Sequence, residues 1–186
     1  MSKLKICIDA GHSYGLNGKG TDPGAVNNEL GIKESIIATE IALYLGKILE
    51  EVGHTIIYTR TNGSDDITLK KRCDIANSNK CDLFVSIHLN SFDNPNSNGI
   101  ETLVYNLDST AGRYAKNVQN ELIKASKATN RGVKERKDLY VLKHTSMPAM
   151  LIETGFISNR EEGMKLNDPP YQRLLCEAIK QGIMNT

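Results

Sequence analysis

Three apolar runs in this chain each stop at a residue able to ligate a metal or carry a proton. Ile6, Cys7 and Ile8 lead to Gly11 and His12, Leu83 to Ile87 lead to His88, and Ala149 to Ile152 lead to Glu153. Their β-branched and small apolar side chains mark buried strands, and Gly11 breaks the first, so His12 is expected just past a strand end. Ligands of open α/β sheets bind beyond the carboxyl ends of the strands. Three parallel strands would therefore bring His12, His88 and Glu153 together.

Between the runs the pattern turns helical. From Ile32 to Val52, residues Ile37, Ala38, Ile41, Leu45, Ile48 and Val52 form one inward stripe. Glu34 lies on that stripe in the first turn, either as a wet helix-start acid or as a ligand aimed inward, while Glu40 faces away. Gly53 ends the helix and His54 to Tyr58 alternates into a strand, with His54 structural or solvated. Asp66 or Thr68 can cap a helix running to about Asn79 with Leu69, Cys73 and Ala76 inward, before the strand Asp82 to Ile87. A polar segment, His88 to Gly99, leads to a strand at Ile100 to Tyr105 and a helix from Ser109 to about Ala128, with Ala111, Ala115, Val118, Leu122 and Ala125 inward.

Arg131 to Lys137 is basic but interrupted by Glu135, which suggests a solvated loop, and Leu139 to Leu142 reads as a short strand. Ser158 and Glu161 have the form of a capping box opening a short helix. Pro169 and Pro170 suit the first turn of a last helix with Tyr171, Leu174, Leu175, Ala178 and Ile179 buried. The long stretch Ser13 to Gly31 carries Gly15, Gly18, Gly20, Gly24 and Gly31, with Asp22-Pro23-Gly24 as a turn. A loop of that length is functional or disordered, and its spacing fits neither a phosphate-binding loop nor a dinucleotide fingerprint.

Residues 1–186 are enough for one sizeable core, so one domain is expected. Lys plus Arg (23) almost balance Asp plus Glu (22), which argues against nucleic acid or an anionic membrane as partner. No apolar run is long enough to span a membrane, and strand-like sequence begins too close to Met1 for a signal peptide, so synthesis in the cytoplasm is expected. Cys7, Cys73, Cys81 and Cys176 form no Cys-x-x-Cys pair and read as reduced thiols, and neither spacing nor nearby histidines make Cys73 and Cys81 a zinc site.

Two histidines and a glutamate suit a divalent zinc and leave a fourth position for water, whose pKa the metal lowers to roughly 7. The assignment is His12, Glu34 and His88 on the metal, with Glu153 carrying the proton from the water to the leaving nitrogen. There is no His-Glu-x-x-His helix and no Gly-x-Ser-x-Gly elbow. His144 either lines the site or is solvated.

The motifs Asp9-Ala10-Gly11-His12, Asp22-Pro23-Gly24-Ala25, Lys33-Glu34, Thr59-Arg60, Ala76-Asn77, Ser86-Ile87-His88-Leu89-Asn90 and Leu151-Ile152-Glu153-Thr154-Gly155-Phe156-Ile157-Ser158-Asn159 stand in a familiar order. Over nearly its whole length the chain resembles the zinc-dependent N-acetylmuramoyl-L-alanine amidases, the catalytic type of bacterial autolysins and phage endolysins. The resemblance implies an α/β domain with a largely parallel twisted central sheet flanked by helices on both faces. It implies that His12, Glu34 and His88 hold Zn2+, that Glu153 is catalytic, and that the substrate is peptidoglycan, cut between the lactyl group of muramic acid and the first L-alanine of the stem peptide.

Two features depart from the family. The loop from His12 to Asp22 is longer and richer in glycine than the short form, and there is no appended wall-binding domain. The expectation is a bare catalytic domain, or one needing no anchor, that reaches the wall after lysis or release. The alternatives are a non-catalytic wall-binding or regulatory domain and a zinc peptidase cutting within the stem. The intact four-residue set speaks against the first.

Overall fold

The computed structural model describes residues 3–13, 22–62 and 67–186. In chain order the elements are β1 (Lys5–Ala10), β2 (Val26–Asn27), β3 (Ile32–Lys33), α1 (Glu34–Glu51), β4 (Thr55–Tyr58), α2 (Leu69–Ser78), β5 (Leu83–Asn90), β6 (Ile100–Val104), α3 (Thr110–Ser126), β7 (Asn130–Glu135), α4 (Tyr140–His144), β8 (Ala149–Phe156), α5 (Arg160–Leu166) and α6 (Pro169–Met184). A six-stranded sheet has the order β4-β1-β5-β8-β6-β7. Its neighbours are parallel except where β6 meets β8.

Alternation along the strands sorts the core into two layers. Ile6, Ile8, Ala10, Leu83, Val85 and Ile87 face a cluster with Ile37, Ile41 and Leu45 of α1, Val118 and Leu122 of α3, and Leu175 and Ile179 of α6. Cys7, Phe84, Leu103 and Leu151 face the other way, onto Cys73 and Ala76 of α2 and Val141 and Leu142 of α4. Helices therefore cover both faces, as expected. All four cysteines are free and buried.

Several local expectations change. Ile32 and Lys33 pair with Val26 and Asn27, so α1 begins at Glu34. Val52 lies past the end of α1 and is 42% exposed. Arg131–Lys137 is not a solvated loop: β7 supplies the parallel neighbour that the outer edge of β6 needs, and its charges suit an exposed sheet edge. Residues 139–142 are not a strand: Leu139 is the N-cap of α4, which begins at Tyr140. Asn159, not Ser158, accepts the capping bond at α5, from Glu162 N, while Ser158 Oγ accepts from Phe92 N. Ala125 of α3 is exposed, and so is Leu174, because the buried side of α6 runs through Gln172, Leu175, Cys176 and Ile179. Thr68 caps α2; Asp66 lies outside the described residues, as do Gly15, Gly18 and Gly20.

Candidate metal centre and cleft

The segment Ala10-Gly11-His12 leaves the end of β1 with its carbonyls held from below. Arg60 donates to Ala10 O (3.0 Å) and Gly11 O (2.6 Å), and Arg72 donates to Ala10 O (2.5 Å) and His12 O (2.9 Å). Both arginines are buried. Arg72 is neutralised by Asp9 at 2.7 Å, and Asp9 also accepts from Thr59 Oγ1 and Ser86 Oγ. Burial alone would raise the Asp9 pKa, but Arg72 and the two hydroxyls hold it below its ordinary value. This brace fixes His12 in a left-handed conformation, φ 55°, which a non-glycine residue rarely adopts.

Three donors meet above it. Glu34, 3% exposed, opens α1, and its Oε1 lies 3.3 Å from His12 Nε2 and 3.0 Å from His88 Nδ1. The carboxylate also accepts from Leu89 N at 3.0 Å and Ala25 N at 2.8 Å. Burial opposes its charge, but the two histidines outweigh that and hold its pKa far below the usual carboxylate range. His12 Nδ1 lies 2.6 Å from Asp22 Oδ2. Burial would lower the His12 pKa, yet Glu34 and Asp22 push it up to about 9.

Close approach demands two glycines. A Cβ at Gly11 would collide with the His88 ring, and one at Gly24 would stand 2.5 Å from Glu34 Oε2 and 2.8 Å from His12 Cδ2.

Sequence reasoning placed His88 and Glu153 beyond strand ends; instead β5 and β8 continue to Asn90 and Phe156, and the two residues face each other in register. Glu153 also stands opposite Glu101 of β6. Its Oε2 is shut from solvent and has no hydrogen-bond partner among the described residues. Burial first, with the Glu34 and Glu101 charges against the opposing pull of His88 and His12, pushes its pKa up to about 7.

His12, His88 and Glu153 line one cleft of about 560 Å³ on the α2/α4 side of the sheet, with Leu103 and Leu151 in its floor and Leu69, Tyr140 and Arg136 around it. Leu69 was expected in the core, but it is 54% exposed and belongs to the cleft wall. Glu34 sits behind the two histidines. His144 stays apart, exposed, stacked on Tyr140 at 4.0 Å and bonded to Tyr140 O. His54 is structural and accepts from Leu4 N.

Asp22, Asp9, Arg72 and Arg136 were not foreseen as site residues. Asp22 already had an explanation as a turn residue. A charge inside the apolar β1 run, and an arginine beside Cys73 on the inward side of α2, were the available signals for Asp9 and Arg72.

The donor set fits zinc. Among the described residues His12, Glu34 and His88 form one group able to hold a metal ion, each offering an atom within 4.8 Å of the others. Asp22 on the second nitrogen of His12 leaves Nε2 as the inward atom, the arrangement that orients ligating histidines.

Comparison with known proteins places the chain in a family. Residues 6–185 match the family described as N-acetylmuramoyl-L-alanine amidase. A germination-specific N-acetylmuramoyl-L-alanine amidase of Bacillus subtilis is 29% identical, with 96% of this chain and 78% of that protein aligned. The endolysin of Bacillus phage SPP1 is 34% identical over 98% of this chain and 65% of its own length. The crystal structure of an N-acetylmuramoyl-L-alanine amidase from Clostridium difficile 630 superposes with a TM-score of 0.88 at 34% identity, covering 98% of this chain and 96% of that one. Fold, match and sequence similarity agree that this chain belongs to the N-acetylmuramoyl-L-alanine amidase family.

Proposed function

We propose that this protein hydrolyses the amide between N-acetylmuramic acid and the first L-alanine of the peptidoglycan stem, using zinc held by His12, Glu34 and His88 with Glu153 as the proton carrier. The observation that carries this reading is Glu153, whose Oε2 has no hydrogen-bond partner among the described residues, on the same cleft as both histidines and opposite His88 in the sheet. Zinc bound by the three residues supplies a Lewis acid for the carbonyl and an acidified water as nucleophile.

Glu153, whose pKa burial pushes up to about 7 in the metal-free protein, is the group that accepts a proton from the attacking water and returns it to the leaving amine. Leu103 and Leu151 in the floor limit water around that exchange. Glu34 and Asp22 hold the histidine rings, and the Arg60/Arg72 brace keeps His12 where its ring reaches Glu34.

The site of action is the wall, reached after lysis or release; among the described residues no helix is long and apolar enough to cross a membrane. Digestion of purified walls by zinc-loaded protein, followed by mass analysis, tests the reading. New L-alanine amino termini with intact glycan are expected. New termini within the stem would make the protein a peptidase, and wall binding without any new termini would make it a non-catalytic module.

A further inference from the structure

The basic stretch of residues 131–137 is not accounted for by the chemistry above. As β7 and its exit, it gathers Arg131, Lys134 and Arg136 beside Glu101. Arg131 Nε and Lys134 Nζ both reach Glu101 Oε2, at 2.9 and 2.6 Å, so that carboxylate is already neutralised. Arg136 goes further and lines the cleft together with Glu153, Tyr140 and Leu139, its backbone N–H bonded to Val104 O at 2.9 Å.

Two other charges in the cleft have partners of their own, whereas Glu153 Oε2 has no hydrogen-bond partner among the described residues. Arg72 is bound to buried Asp9, and Asp22 is bound to His12. Arg136 pairs instead with Asp138, two residues on, through Nε at 2.9 Å and Nη2 at 2.7 Å. The two side chains are 46% and 66% exposed, so the fork is open to water and a second carboxylate can compete with Asp138 for it. A planar donor fork therefore stands in the cleft wall, hydrogen-bonded to a solvated local partner and also within the field of the Glu101 and Glu153 carboxylates.

The substrate has one side able to meet it. Once the lactyl carboxyl of the muramoyl group is in the amide, that side carries no carboxylate, so an anion for Arg136 comes from the peptide. Resting on the amidase reading, we propose that Arg136 recognises a free carboxylate on the peptide side of the scissile amide, by a charge-assisted forked hydrogen bond. The protein therefore favours stems with a free carboxylate near the amide over stems in which it is amidated.

The test compares N-acetylmuramoyl-L-alanyl-γ-D-glutamyl-L-lysinamide, which keeps one free carboxylate, with its D-isoglutaminyl counterpart, which has none, as substrates of the zinc-loaded full chain. The expected kcat/KM preference for the carboxylate is roughly 10- to 100-fold, the range of one charged hydrogen-bonded contact. Arg136→Met should bring that ratio close to one, and Arg136→Lys should restore part of it. A ratio near one in the unaltered protein, or one unchanged in Arg136→Met, overturns the proposal. If neither compound is cleaved, the amidase reading fails by itself. The proposal is then decided by the affinities of L-alanyl-γ-D-glutamyl-L-lysinamide and L-alanyl-D-isoglutaminyl-L-lysinamide: a carboxylate preference that Arg136→Met abolishes supports it, and equal affinities overturn it.

Discussion

Asp22 Oδ2 stands 2.6 Å from His12 Nδ1, so the loop that follows β1 returns to orient the ring it delivers. Asp22 O also accepts from Ser13 N, and Asp22 Oδ1 accepts from Gly24 N, which ties the turn to the same point. Carboxylates placed behind metal-bound histidines typically tune affinity by 10- to 100-fold. Asp22→Asn should weaken zinc binding by about that factor with little change in melting temperature, since Asp22 is 74% exposed. An unchanged zinc dissociation constant in calorimetric titration would show that the contact is only part of a turn.

Metal loading should also be coupled to protons. In the metal-free protein Glu34 and Asp22, against burial, carry the His12 pKa up to about 9, whereas a ligating imidazole must be neutral. Zinc affinity should therefore rise with pH from neutrality towards about 9, with close to one proton released per zinc at pH 7. Titrations in buffers of different ionisation enthalpy count that proton. Glu34→Ala should remove zinc while leaving α1 largely intact, and retained affinity would reduce Glu34 to a helix-start acid.

How far the site could be read from sequence depends on what decides each position. His12, His88 and Glu153 were legible because each follows an apolar run, and Glu34 because it lies on the buried stripe of α1. That three of them form a group able to hold a metal ion is what the structure adds, and zinc as its occupant is the proposal. β7 and α4 were not legible. Four of the six residues of β7 are exposed, and it is a strand because β6 has a free edge; α4 has five residues, too few for periodicity to declare a helix. The arginine brace escaped for a related reason: its partners are backbone carbonyls 49 to 62 residues away, which no local pattern encodes.

That brace has an acid limit. Asp9 is fully buried with its pKa held below the ordinary value, so its contribution is present above the unfolded-state pKa and is lost as pH falls through the lower, folded one. On the acid side, the loss of urea midpoint due to Asp9 should accordingly come at strongly acidic pH. Arg72→Met leaves Asp9 buried without its cation and should cost on the order of 3–5 kcal/mol. Adding Asp9→Asn should recover much of the loss, because the stranded charge is then gone. A double variant as unstable as Arg72→Met alone would show that the carbonyl contacts of Arg72, not its pairing with Asp9, dominate.

Glu153 separates chemistry from stability. Its burial, next to Glu34 and Glu101, raises the pKa to about 7, so the folded metal-free protein binds a proton there that the unfolded chain has already released. Stability should therefore fall as pH rises from the ordinary carboxylate range to about 7, the opposite sign to Asp9. Glu153→Gln keeps the size of the side chain and removes both the titration and the basicity. The slope should flatten, melting temperature at pH 7 should hold or rise, and zinc stoichiometry should stay the same. Wall lysis should drop roughly 10²- to 10⁴-fold, the usual cost of losing a general base. Were Glu153 a structural residue accepting backbone N–H bonds, the same change would lower stability by about 1 kcal/mol and spare the rate. Its Oε2 has no such donor among the described residues. A near-normal lysis rate with a lowered melting temperature would nonetheless make the structural role the correct one.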